Sequence, residues 1–198
     1  MSQLALPLDW APDPAGEAFL VGSSNAAAVE QLERWRDWPV PVGLLTGPPR
    51  SGRSLLARVF ATRTGGTVAD DAEQCDEEEL FHAWNRARES GRPLVIVAAA
   101  RPPAWAVALP DLRSRLGASA AIEVGPPDDA LARSLVARAL ERRGVPPEPA
   151  LVEWLAMRSE RSHAGLMAAV EQLDRAAMER RRRPSIALAR EVLFGSEP

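Results

Sequence analysis

Gly47-Pro48-Pro49-Arg50-Ser51-Gly52-Arg53-Ser54 carries the most chemistry in its spacing: two glycines separated by four residues, then a cation, then a hydroxyl. This is the pattern of a loop that wraps a diphosphate. Glycines let backbone N–H groups turn toward the anion, and the helix that follows offers its positive end. The candidate nucleotide-binding set is Gly47, Pro48, Arg50, Ser51, Gly52, Arg53, Ser54 and Leu55, with the Ser54 hydroxyl placed to reach Mg²⁺. Arg53 stands where such loops carry lysine, and a planar guanidinium is bulkier than an ammonium. A strand-to-helix turn rich in Gly and Pro, with no ligand, is the plainer reading of the loop taken alone.

Asp70-Asp71 follows shortly after. Beside a phosphate loop, Asp70 would help hold Mg²⁺ and Asp71 would orient a water. The plainer alternative is a solvated acidic turn, because Glu73, Asp76, Glu77, Glu78 and Glu79 come next. Asp111-Leu112-Arg113-Ser114-Arg115-Leu116 puts two arginines on a short helix, where one could reach a neighbour's γ-phosphate or simply pair with Asp111. Arg180 to Arg183 end a long helix, which suits the helix C-terminus electrostatically and could also attract nucleic acid. His82 and His163 read as surface or helix-packing residues, and the tryptophans as core or interface aromatics.

The elements that must position these groups are legible from periodicity. Gly43 to Thr46 is a short apolar run before the loop, hence a buried strand. Ser51 to Arg63 predicts a helix with Leu55, Leu56, Val59 and Phe60 inward. Ser24 is a candidate cap for an earlier helix with Ala27, Ala28, Leu32 and Trp35 on one stripe. Further strands are expected at Thr67–Ala69, Pro93–Ala99 and Ala120–Val124, with helices at Glu77–Glu89 and Leu109–Leu116. After Gly125-Pro126-Pro127 only helical patterns remain. The expectation is an α/β fold with a short parallel sheet of about four strands followed by a small all-α lid. The domains would be an extended tail at 1–17, the α/β domain at 18–125 and the lid at 126–198.

Composition narrows the classes. The chain has 198 residues and a formal net charge of −3, enough for one domain or one domain with a small appendage. The single cysteine, Cys75, cannot form an internal disulfide and suits a reducing, cytoplasmic setting. With two histidines and that cysteine, no His/Cys zinc site is available. The apolar run Leu94 to Ala100 is too short to span a bilayer, so no membrane role is expected. All 24 fixed cations are arginine, so Arg53 replaces lysine in a chain that contains none.

Taken in order, several stretches resemble the Hda family, the AAA+-type regulatory inactivators of the replication initiator DnaA, and its alphaproteobacterial HdaA branch in particular. They are Gln3-Leu-Ala-Leu-Pro-Leu8, Phe19-Leu-Val-Gly-Ser-Ser-Asn25, the phosphate loop, Asp70-Asp71, Arg101-Pro-Pro, Leu109 to Leu116 and Val170-Glu-Gln-Leu-Asp174. The resemblance spans nearly the whole chain. It implies that Gln3, Leu4, Leu6, Pro7 and Leu8 bind the DNA polymerase III sliding clamp, the β subunit, touching DNA only through it. It implies that the protein then docks on ATP-bound DnaA and promotes hydrolysis of that ATP, with Arg115 as an arginine finger in trans, which prevents over-initiation. ADP or ATP with Mg²⁺ is the implied cofactor, and self-association is open.

The chain departs from the family pattern at Arg53, at Ala100 in place of a polar sensor, and at Ala164 in place of a nucleotide-sensing lid arginine. The stretch from Ser54 to Asp70 is also too short for a complete AAA+ core, so one strand-helix unit is expected to be missing. These departures favour an adaptor with ADP at most over a self-contained P-loop ATPase. A clamp-loader or helicase-loader relative is the third reading.

Overall fold

The computed structural model describes residues 19–195. Gln3, Leu4, Leu6, Pro7 and Leu8, and the expected tail at 1–17 as a whole, lie outside the described residues. The chain divides into two compact units: residues 19–21 and 25–125 form an α/β unit, and residues 22–24 join 126–195 in a helical unit.

The α/β unit runs α1 (Ala26–Glu33), a 3-10 turn (Trp35–Asp37), β1 (Val42–Thr46), α2 (Arg53–Thr64), β2 (Thr67–Ala69), a 3-10 turn (Ala72–Gln74), α3 (Glu77–Ser90), β3 (Leu94–Val97), α4 (Pro110–Ala118) and β4 (Ala120–Glu123). The four strands form one parallel sheet in the order β2-β3-β1-β4. The two middle strands are continuous apolar runs, buried on every residue, as strands covered on both faces must be. The outer strands are weaker: β4 buries only Ile122 and β2 buries none of its residues.

Strand alternation then assigns the layers. Val42, Leu44, Leu94 and Ile96 pack with Leu80 and Trp84 of α3 and Leu112 and Leu116 of α4. Leu45, Val95, Val97 and Ile122 pack on the other face with Val29 and Leu32 of α1 and Leu56, Val59 and Phe60 of α2. The four-stranded parallel sheet was legible from the sequence. So was the missing unit, because α2 turns directly into β2 through Gly65-Gly66.

Two local expectations fail. Ala27 is exposed and Val29 takes the inward place on α1. Ser24 does not cap that helix: its N-cap is Asn25, whose side chain makes no capping bond but donates to the Leu20 carbonyl at 2.9 Å. The Ser24 hydroxyl instead accepts the Asp128 N–H at 3.2 Å.

The helical unit contains α5 (Asp129–Glu141), α6 (Pro149–Arg158), α7 (His163–Arg180) and α8 (Ile186–Phe194). Its core is aliphatic, built on Val136, Leu140, Leu155, Leu166, Val170, Leu173 and Leu188. Asp128 caps α5 by accepting the Leu131 N–H at 2.7 Å, and also accepts the Ser24 N–H and the Ser23 hydroxyl. The Leu131 N–H and the Ser23 hydroxyl hold its carboxyl below the usual range.

His163 opens α7 in full burial, with no hydrogen-bond partner on Nδ1, and desolvation pushes its pKa down. The unfolded chain therefore binds a proton that the folded lid resists. The stabilisation belongs to the neutral form, is complete above the unfolded value of about 6.5, and is lost as pH falls toward the depressed folded value. Thermal melts between about pH 7.5 and 5 should show wild type losing stability with acid. His163→Leu should flatten that slope, and an equal slope in both proteins would remove His163 as its cause.

Candidate functional site

β1 ends on the phosphate-loop residues, and two glycines make the loop's turn. Gly47 sits at φ +154°, where an added Cβ would lie 2.6 Å from the Val124 carbonyl oxygen. Gly52 sits at φ +82° and precedes α2 as its N-cap. Arg50 takes a positive φ of 60°. The Ser51 N–H donates to the Pro48 carbonyl at 3.3 Å, and the buried Ser51 Oγ has no hydrogen-bond partner. No side chain caps α2 and its first turn holds no acid, so its N–H groups remain available to an anion. Leu55, expected inward, is half-buried at the edge of the core.

Arg53 does not point into this cradle. Its guanidinium donates to the carbonyl of Ala98, the residue after β3. The cation in the lysine position is thus engaged by the sheet's own backbone. Ser54 and Asp70, by contrast, meet as the sequence suggested: the hydroxyl donates to Oδ1 at 3.0 Å. The Asp71 N–H donates to the same oxygen at 3.1 Å, with Asp71 at φ 48° beginning the 3-10 turn.

The acids beyond Asp71 are not simply solvated. Glu73 accepts the backbone N–H groups of Ala99 and Ala100, the latter at 3.4 Å. Glu77 accepts those of Ala108 and Leu109 at 2.8 and 2.6 Å. The two carboxylates pin both ends of the 98–109 loop, and Leu109 is the N-cap of α4. Sequence reasoning missed this role. The only signal was an acidic run opposite a loop whose N–H groups have no strand or helix to satisfy them. Cys75 lies in the same acidic neighbourhood. Burial first, then Glu79, Asp71, Asp70 and Glu73, push its thiol up and leave it a poor nucleophile.

On α4, Arg113 and Arg115 do different things, and neither makes the pair with Asp111 considered from sequence. Arg113 donates twice to the Val107 carbonyl, at 3.1 and 2.6 Å. The Arg115 guanidinium lies over two rings of α3, 4.4 Å from the Phe81 centroid and 4.8 Å from the Trp84 centroid. Trp84 is fixed beneath it by its indole N–H, which donates to Ser119 Oγ at 3.0 Å; that hydroxyl donates to the Arg115 carbonyl at 2.9 Å. Arg115 is half-buried. His163 proves to be a lid-core residue, while His82 is exposed with its ring edge-on to Phe81.

No group of three or more His, Cys, Asp or Glu among the described residues could hold a metal ion. No described helix is long and apolar enough to cross a membrane.

A glycine loop between a buried parallel strand and an open helix N-terminus, with a separate helical unit after the sheet, is the layout of a P-loop α/β fold with a helical lid. Known structures agree. Domain III of the Thermotoga maritima replication initiation protein DnaA matches with a TM-score of 0.71 at 16% identity, over 88% of this chain and 93% of that one. The Thermotoga maritima RuvB Holliday junction branch migration motor matches at 0.60 and 17%, over 87% and 69%. An uncharacterised protein of Haemophilus influenzae is 26% identical over 227 residues, 96% of this chain and 98% of its own length. Residues 128–193 match the Hda lid domain. The family match thus covers the helical unit, and the likeness to DnaA domain III is one of fold.

Proposed function

We propose that this chain is a DnaA-related replication regulator acting as an adaptor: it binds the DNA-loaded sliding clamp through Gln3, Leu4, Leu6, Pro7 and Leu8, docks on ATP-bound DnaA, and lends Arg115 to hydrolysis of that ATP. The observation that carries this reading is an Hda lid at 128–193 following a DnaA-like α/β unit. The geometry supports the adaptor over a self-contained ATPase. The loop backbone and the α2 N-terminus fit a diphosphate, and Ser54 with Asp70 fits its Mg²⁺. Bound there, the nucleotide would supply a filled, rigid cradle; Arg53 stays with Ala98, and Ala100 offers no polar side chain to a γ-phosphate. ADP is therefore the nucleotide this site suits.

The N-terminal motif gives the first test. Burying leucine side chains in an apolar pocket is worth about 1.5–3 kcal/mol each, so Leu6→Ala with Leu8→Ala should weaken clamp binding by about a hundredfold or more. Titration of purified clamp against both proteins measures it. Equal affinities would remove clamp binding from the proposal.

A further inference from the structure

We infer that the α7–α8 end of the lid is a binding surface for the phosphate backbone of duplex DNA, a contact made by this protein itself and not through a partner. Residues 175–191 hold six arginines and two glutamates in a chain whose formal net charge is −3. The helix C-terminus accounts for cations only within its last turn. It explains Arg180, but not Arg175 more than a turn earlier, nor Arg183 and Arg190 beyond it.

The cations are also arranged. Glu191 on α8 accepts from Arg180 at 2.7 Å and from Arg182 at 3.0 Å, which holds two guanidiniums side by side with N–H donors left over. Arg175, Arg181, Arg183 and Arg190 are exposed, and their guanidiniums have no partner among the described residues. Arg181 terminates α7 at φ 51°, ψ 39°, where glycine would rest without strain. A cation thus stands at a position where the backbone favours glycine.

Between the two helices lies a groove of about 310 Å³ lined by Gln172, Arg175, Glu179, Arg180, Glu191 and Val192. It offers no aromatic or large apolar anchor of the kind that carries protein–protein affinity. An arginine-rich groove without such an anchor fits a phosphate backbone, which guanidiniums grip through paired N–H donors.

The test is fluorescence anisotropy of the full chain with a labelled random-sequence duplex of about 30 base pairs, titrated with salt from about 50 mM. Three proteins are compared: wild type, Arg175→Gln/Arg181→Gln/Arg183→Gln, and Arg181→Gly. Wild type should bind with an affinity that falls steeply with salt. The triple variant should lose at least about tenfold in affinity, with the log–log slope shallower by about one for each phosphate contact removed. Arg181→Gly separates structure from binding. Relief of the left-handed backbone should raise its melting temperature while its DNA affinity falls. No duplex binding at low salt, or equal affinity and slope in wild type and the triple variant, overturns the inference. Patch-dependent binding of polyglutamate with none of duplex overturns it as well, by assigning the surface to acidic protein. Clamp binding and DnaA are absent from this experiment, so its outcome is independent of the proposed adaptor role.

Discussion

Under the proposed adaptor role, Arg115→Ala is expected to reduce stimulated hydrolysis of DnaA-bound ATP by about 10³-fold or more, the scale at which a trans-acting arginine works on a γ-phosphate. The assay contains clamp, DNA, ATP-loaded DnaA and either protein, and reads phosphate release. Arg115 stacks on Phe81 and Trp84, so its removal also costs stability, about 1 kcal/mol for an incompletely buried cation on aromatic faces. That cost is visible as a lower melting temperature and cannot by itself produce a thousandfold loss. A variant that melts lower yet stimulates as well as wild type would show that the guanidinium only packs. Phe81→Leu makes the complementary case, since it leaves the arginine and removes one of its two rings. If the platform aims the guanidinium, stimulation should drop by about tenfold, within what misplacing a positioned group costs. Arg115→Lys keeps the charge and loses the planar fork, so it should recover little.

The platform itself was hidden from sequence for a definite reason. Phe81 and Trp84 are three apart on α3 and share a face, and periodicity reads such a pair as core. Trp84 is core. Phe81 stays half-exposed, and a cation from another helix covers both rings. Nothing in the order of residues says which arginine will arrive. The same limit applies to Arg53. Its place in the loop was plain, but the acceptor it meets is a backbone carbonyl at Ala98, 45 residues away, and every residue carries a carbonyl.

What could be read was set by burial and period. The continuous apolar runs of β1 and β3 announced central parallel strands. The bare stretch between Ser54 and Asp70 fixed the strand count. Ser54 and Asp70, both read as Mg²⁺ ligands, lie within hydrogen-bond reach of each other, one at the start of α2 and the other just after β2. Ser24 failed because a capping serine is recognised by its local frame, whereas its actual partner is Asp128, 104 residues away.

A large stability effect is expected at Gly47. An added Cβ would sit 2.6 Å from the Val124 carbonyl oxygen and 3.2 Å from the Val124 Cβ, at a φ of +154° that L-residues rarely adopt. The carbonyl cannot step aside cheaply. Val124 is tied by its N–H to the Thr46 carbonyl at 2.8 Å, the last rung joining β1 to the end of β4. Gly47→Ala must therefore distort the loop or break the β1–β4 edge, at about 3 kcal/mol or more once backbone strain is added to the clash. Gly52→Ala is the control. Its φ of +82° carries the left-handed penalty of about 1–2 kcal/mol, but the nearest atom, Phe19 Cε2 at 3.0 Å, belongs to a side chain and not to the backbone. Urea unfolding of the three proteins should rank them wild type, then Gly52→Ala, then Gly47→Ala, with calorimetric ADP affinity falling in the same order. A Gly47→Ala protein as stable as wild type would mean that the loop yields freely, and the cradle proposed for the diphosphate would lose its rigidity.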